Sequence, residues 1–128
     1  MTEPVWVPIA AAITIHDRQI SRHGGAAGLR DLGLLEAAMG RPVNKWQYGT
    51  TDLFELAAAY AFGIAKAHAF IDGNKRTALV CALTFLLANG VHVRRETDDT
   101  VRAIEDVARD AMSETEFAGW LRDGRISD

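Results

Sequence analysis

The chain has 128 residues, 48% of them hydrophobic and 24% charged, with a net charge of −3. That length supports one domain with a real core and no need for disulfides or a structural metal, and the composition is globular rather than disordered. The acidic balance argues against a protein that coats nucleic acid, because phosphate binding needs a basic footprint.

The opening run MTEPVWVPIAAAITIHD carries Glu3 and no basic residue ahead of its apolar stretch, so it lacks the charged start of a secretory signal. No apolar stretch reaches the ~20 residues that a membrane-crossing helix needs. The expected location is the cytoplasm, without membrane association. Ile9, Ile13, Ile15 and Ile20 fall at helical spacing and predict a first helix that ends at Gly24-Gly25. A short second helix fits Asp31 to Gly40, stopped by Gly40 and Pro42. The next run, VNKWQYG, has no helical period, and residues 43–49 are expected to form a short extended flap or hairpin. Thr51 or Asp52 can cap a third helix, LFELAAAYAFGIAKAHAF, and Asn74 can cap a fourth, KRTALVCALTFLLA, that ends at Asn89-Gly90. Asp98 or Asp99 opens a fifth around VRAIEDVARDAM. Ser113 followed by Glu116 forms a capping box for a last helix with Phe117, Trp120 and Leu121. The expected fold is all-α, one compact bundle of about six helices with the third and fourth as its buried central pair. Cys81 is the only cysteine and reads as a buried filler.

Between the two most apolar helices lies the polar decapeptide HAFIDGNKRT, residues 68–77. Gly73 and Asn74 start the fourth helix, so the N–H groups of Asn74, Lys75 and Arg76 have no helical partner and form an anion site at the positive end of the dipole. Lys75 and Arg76 add full charges there. Cations at a helix N-terminus are disfavoured by ~0.3–1 kcal/mol each unless an anion answers them, which points to phosphate. Asp72, beside that nest, is a natural holder of Mg²⁺ against phosphate oxygens. His68 is the candidate general base. Phe70 points inward as the loop's anchor. A transition-metal pair of His68 and Asp72 lacks a third ligand, and neither a P-loop nor a Gly-x-Ser-x-Gly elbow is present. Gly24-Gly25-Ala-Ala-Gly28 reads as a helix terminus and turn. His16, His23 and His92 have no companions that suggest chemistry.

The stretch His68-Ala-Phe70-Ile-Asp72-Gly73-Asn74-Lys75-Arg76 resembles the signature of the Fic/Doc family, and most of all its Doc (death-on-curing) toxins. The likeness extends through HDRQISRHGG, TDLFELAAAY and TALVCALTFLLANGV, covering roughly residues 15–93. It implies an all-α toxin of a toxin–antitoxin module that transfers part of ATP to a protein hydroxyl, with Mg²⁺ as cofactor. Doc enzymes act as kinases on elongation factor Tu and halt translation, whereas typical Fic enzymes transfer AMP. Carried over, His68 is the base, Asp72 holds Mg²⁺, and Gly73, Asn74, Lys75 and Arg76 grip phosphates, with Lys66 assisting. Trp46 and Tyr48 match the position of a target-docking flap. Ala69 stands where Fic has proline, Lys75 where it has glycine, and Leu79 where it has a second arginine. Lys75 and Leu79 favour a kinase; Gly73 is Fic-like and keeps an adenylyltransferase as the alternative. A catalytically silent helical interaction domain is a third reading. No Ser/Thr-x-x-x-Glu-Gly/Asn brake is present, since Thr51 to Glu55 is followed by Leu56. The resemblance therefore implies a separate antitoxin whose helical segment lies along a groove of the chain. It implies no direct contact with nucleic acid.

Overall fold

The computed structural model describes residues 2–126. The described residues contain six helices: α1 (Ile9–His23), α2 (Leu32–Gln47), α3 (Leu53–Ala67), α4 (Asn74–Ala88), α5 (Thr97–Ala108) and α6 (Glu114–Asp123). Extended pairing among the described residues is limited to two isolated bridges, Leu29 with Phe70 and Val93 with Arg125. The all-α expectation therefore holds. None of the helices among the described residues is long and apolar enough to cross a membrane.

Helix α3 is the hub: it packs against α4, α2, α6 and α5, while α1 lies on α4. Ala57, Ala58, Ala59 and Ala61 are fully buried, and their small side chains let several helices approach closely. Tyr60, Phe85, Phe117 and Leu121 fill the spaces between them. The caps are those the composition suggests at two helices. Asp52 accepts from the N–H groups of Phe54 and Glu55, and Ser113 and Glu116 exchange the two bonds of a capping box. Each satisfies donors that a helix start leaves orphaned.

One expected element is absent. Residues 43–47 form the last turn of α2, not a flap or hairpin, and the helix does not stop at Gly40. Proline removes one helical N–H and usually breaks a helix interior. Here Pro42 is buried on the core face, and Trp46 is held edge-on against Trp6 at 6.2 Å, so tertiary packing carries the helix past the break. Tyr48 comes next as the helix's C-cap and is 93% exposed.

Candidate active site

The signature loop begins with strain. His68 ends α3 in the left-handed region (φ 50°, ψ 41°), a conformation that costs a non-glycine residue about 1–2 kcal/mol. Neighbouring groups fix it there. The Arg30 guanidinium donates to the His68 carbonyl from Nε at 2.9 Å and also from Nη2. The next carbonyl, Ala69, accepts from the Arg30 and Asp31 N–H groups at 2.7 and 3.0 Å. Ile71 N–H donates to Gly28 at 3.1 Å. Residues 26–31 thus form a strap along the loop, and the Gly24-to-Gly28 turn is part of the site's frame. Gly25 is needed for that closeness: a Cβ there would lie 2.7 Å from Asp72 Oδ2.

Asn74 is not the cap of α4; Gly73 is, at φ 76°, and it has no side chain with which to cap the helix N–H groups. The Asn74 side chain reaches back instead. Its Oδ1 accepts from Phe70 N–H and its Nδ2 donates to the Phe70 carbonyl, both at 3.0 Å, which staples the loop to the helix it precedes. That amide is committed to the loop, and what this position turns to the start of α4 is its backbone N–H. Among the described residues, those of Asn74, Lys75 and Arg76 have no protein acceptor; the first bond of α4 runs from Thr77 N–H to Gly73. Three bare N–H groups on the start of a helix make a ready anion cradle. Neither Lys75 nor Arg76 pairs with a carboxylate among the described residues.

His68, Asp72, Gly73, Asn74, Lys75 and Arg76 line one cleft of about 510 Å³. Its far wall is Val101, Ile104, Glu105 and Ala108 of α5, and Leu79 lies within it. The Asp72 carboxylate accepts from Gly73 N–H at 2.9 Å and, at 3.3 Å, from Ala26 N–H. It is exposed and keeps lone pairs free, as a magnesium ligand shared with phosphate must. No cluster of three metal-binding side chains exists among the described residues, so a cation there would take most of its ligands from substrate and water.

The remaining expected site residues lie elsewhere. Phe70 is buried, its ring stacked on His16. Lys66 points away from the cleft: it pairs with Asp110 and lies 5.7 Å from the Phe62 ring centre. It lines a separate groove of about 850 Å³ between α2 and α3, with Arg41, Lys45 and Tyr48. Trp46 packs inward against Trp6. The α5 wall, the Arg30 strap and His16 lie outside the signature, and no local pattern of residues shows that each meets the loop from a distant part of the chain.

Comparison with known proteins identifies the family of this bundle and its loop. The Fic/DOC family model matches residues 6–86, and the chain belongs to the Fic/Doc family. It is 50% identical over 82 residues to "Protein kinase doc" of Escherichia phage P1, a match covering 63% of this chain and 65% of the phage protein. It is 43% identical over 94 residues to "Toxin Doc" of Mycolicibacterium smegmatis, covering 71% of this chain and 67% of that protein. The match thus spans about two thirds of the length of each relative.

Proposed function

We propose that this protein is the toxin of a toxin–antitoxin module and works as a Mg-ATP-dependent protein kinase. It moves the γ-phosphate of ATP to a Ser/Thr hydroxyl of a translation factor, elongation factor Tu by the Doc resemblance, and so arrests growth from the cytoplasm. One observation carries the reading: an imidazole and a cradle of three N–H groups with two cations, none of these five partnered among the described residues, share one cleft. The names of both relatives agree with it.

In this chemistry His68 takes the proton of the target hydroxyl, whose oxygen then attacks the γ-phosphorus as the bond to the β-phosphate oxygen breaks and ADP leaves. The N–H groups of Asn74, Lys75 and Arg76, with the two side-chain cations, hold phosphate oxygens and answer the charge that shifts onto them. Mg²⁺ on Asp72 would neutralise phosphate charge and fix its orientation. Leu79 puts no cation in the cleft where a Fic enzyme has its second arginine, which favours presenting the γ-phosphate, not the α-phosphate, to His68. A separate antitoxin restrains the enzyme through a helical segment.

The test is label transfer from ATP marked at the α- or γ-phosphate, with Mg²⁺ and a bacterial translation extract. We expect γ-label alone to reach a protein, and His68→Ala to lower transfer by at least ~100-fold, the scale of a lost general base. Transfer of α-label would make the protein an adenylyltransferase. No transfer from either, with no ATP binding, would leave a silent interaction domain.

A further inference from the structure

His16 lies on α1, 52 positions before His68, and is 1% exposed. Its ring lies flat on Phe70 of the signature loop, with centres 3.9 Å apart and planes within 6°. Its Nε2 is 2.7 Å from the carbonyl oxygen of Asp72. A carbonyl only accepts, so Nε2 carries the hydrogen and the tautomer is set by the loop. The other nitrogen, Nδ1, faces Asp17 at 3.6 Å, too long for a hydrogen bond, and that carboxylate is largely exposed. A buried imidazole needs a partner for its N–H, and the loop carbonyl supplies it. One turn further along α1, Ile20 reaches the same loop: its Cδ1 lies 3.1 Å from where a Cβ on Gly73 would stand. Positions four apart on a helix share a face, so α1 presents His16 and Ile20 together to the Phe70-to-Gly73 backbone.

We propose that His16 is a positioning residue for phosphoryl transfer. It touches no substrate. It fixes the Asp72 peptide, and with it the direction of the Asp72 carboxylate and of the first bare N–H groups of α4, while Arg30 fixes His68 independently. The loop is then clamped at both ends from outside the signature: the base end by the strap, the phosphate end by α1. The inference rests on the kinase reading for its catalytic consequence, but the clamp itself is a matter of loop order.

Three variants separate the contributions. His16→Phe keeps the stack and loses the donor, His16→Gln keeps an N–H donor and loses the stack, and His16→Ala loses both. Each is measured for thermal unfolding, for kcat and KM with ATP, and for hydrogen exchange at the amides of Phe70, Ile71 and Gly73, which are bonded in the loop. We expect His16→Phe to unfold near the wild-type temperature and bind ATP with KM changed less than about threefold. Its kcat should fall ~10–100-fold, since a misplacement of about 1 Å can cost that much. Loop amides should exchange at least about 10-fold faster as the local opening energy drops. His16→Gln should recover part of both losses. Unchanged kcat and unchanged loop exchange in His16→Phe would make His16 a core filler and overturn the proposal. If His16→Phe fails to fold, His16→Gln decides: wild-type loop exchange supports the N–H clamp, and exchange as fast as in His16→Ala overturns it. Should the wild-type protein transfer no label, the kinase reading falls, and the exchange measurements still decide whether the clamp exists.

Discussion

A thiol in the middle of a core is a reporter of opening. Cys81 is fully buried on α4, and burial pushes its thiol up to about 12, so almost no thiolate exists near neutral pH. Native protein at about pH 8 should therefore resist iodoacetamide and label at the rate of its own unfolding, whereas a solvent thiol reacts at once. Rapid labelling followed by mass spectrometry would show that α4 opens far more readily than its packing implies. The same contrast governs what is legible residue by residue. That His68 and Asp72 through Arg76 gather in one cleft can be read because an imidazole, a carboxylate, a helix start and two cations lie within nine consecutive positions, and chain neighbours at a helix start are spatial neighbours. His16 and Arg30 cannot, because their partners lie 56 and 38 residues away. Asn74 is visible as a helix-start residue, but only the folded loop shows its side chain turned back on Phe70.

At the scale of helices, charge and packing fix how α2 meets α6 and α3. Glu114 opens α6 between Arg41 and Lys45, 2.7 Å from Lys45 Nζ. Burial raises its carboxyl, but hydrogen bonds from Lys45 and Arg41, reinforced by their charges, outweigh that and hold it below its ordinary value. A carboxyl lowered by folding stabilises the fold above its unfolded pKa, and that contribution disappears as pH falls through the folded one. The charge-dependent stability lost in Glu114→Gln should thus be full near pH 7 and shrink as pH falls through the lowered folded value, in urea titrations of both proteins. A loss that does not change with pH would mean the pair contributes no charge-dependent stability. Where α2 crosses α3, Gly63 leaves room for backbone: a Cβ there would come within 3.0 Å of the Ala38 carbonyl oxygen and 3.2 Å of its Cα. Neither atom can swing aside, so Gly63→Ala should destabilise by ~1–3 kcal/mol, as overpacking does, measured by thermal or denaturant unfolding. Helix starts at Asp52 and Ser113 are legible because capping is local chemistry. The run at residues 43–47 misleads because Pro42 signals a break that only contacts with distant residues such as Trp6 override.

Across the whole molecule, the cleft is assembled from two regions of different character. One side is the loop and the start of α4; the other is α5, which no motif announces. Val101 stands on that wall and is 47% exposed, so a charge there can be added without cutting into the core. Val101→Glu should leave stability within about 0.5 kcal/mol while weakening ATP binding several-fold through repulsion of phosphate, read by nucleotide titration and falling off with added salt. Unaltered binding would place the nucleotide away from α5.

The N-terminal segment is tied to the end of α4 by a pair of bonds. Val5 N–H donates to Asn89 Oδ1 at 2.8 Å, and Asn89 Nδ2 donates to the Val5 carbonyl at 2.9 Å. The stretch that the family shares, residues 6–86, therefore has its two ends fastened side by side. A unit closed in this way tolerates change in the chain beyond it without opening its own seam. Here the next helix beyond the seam is α5, which faces the start of α4 across the cleft. A side chain changed on that wall therefore alters the shape of the cleft while the loop on its other side keeps its own fastenings.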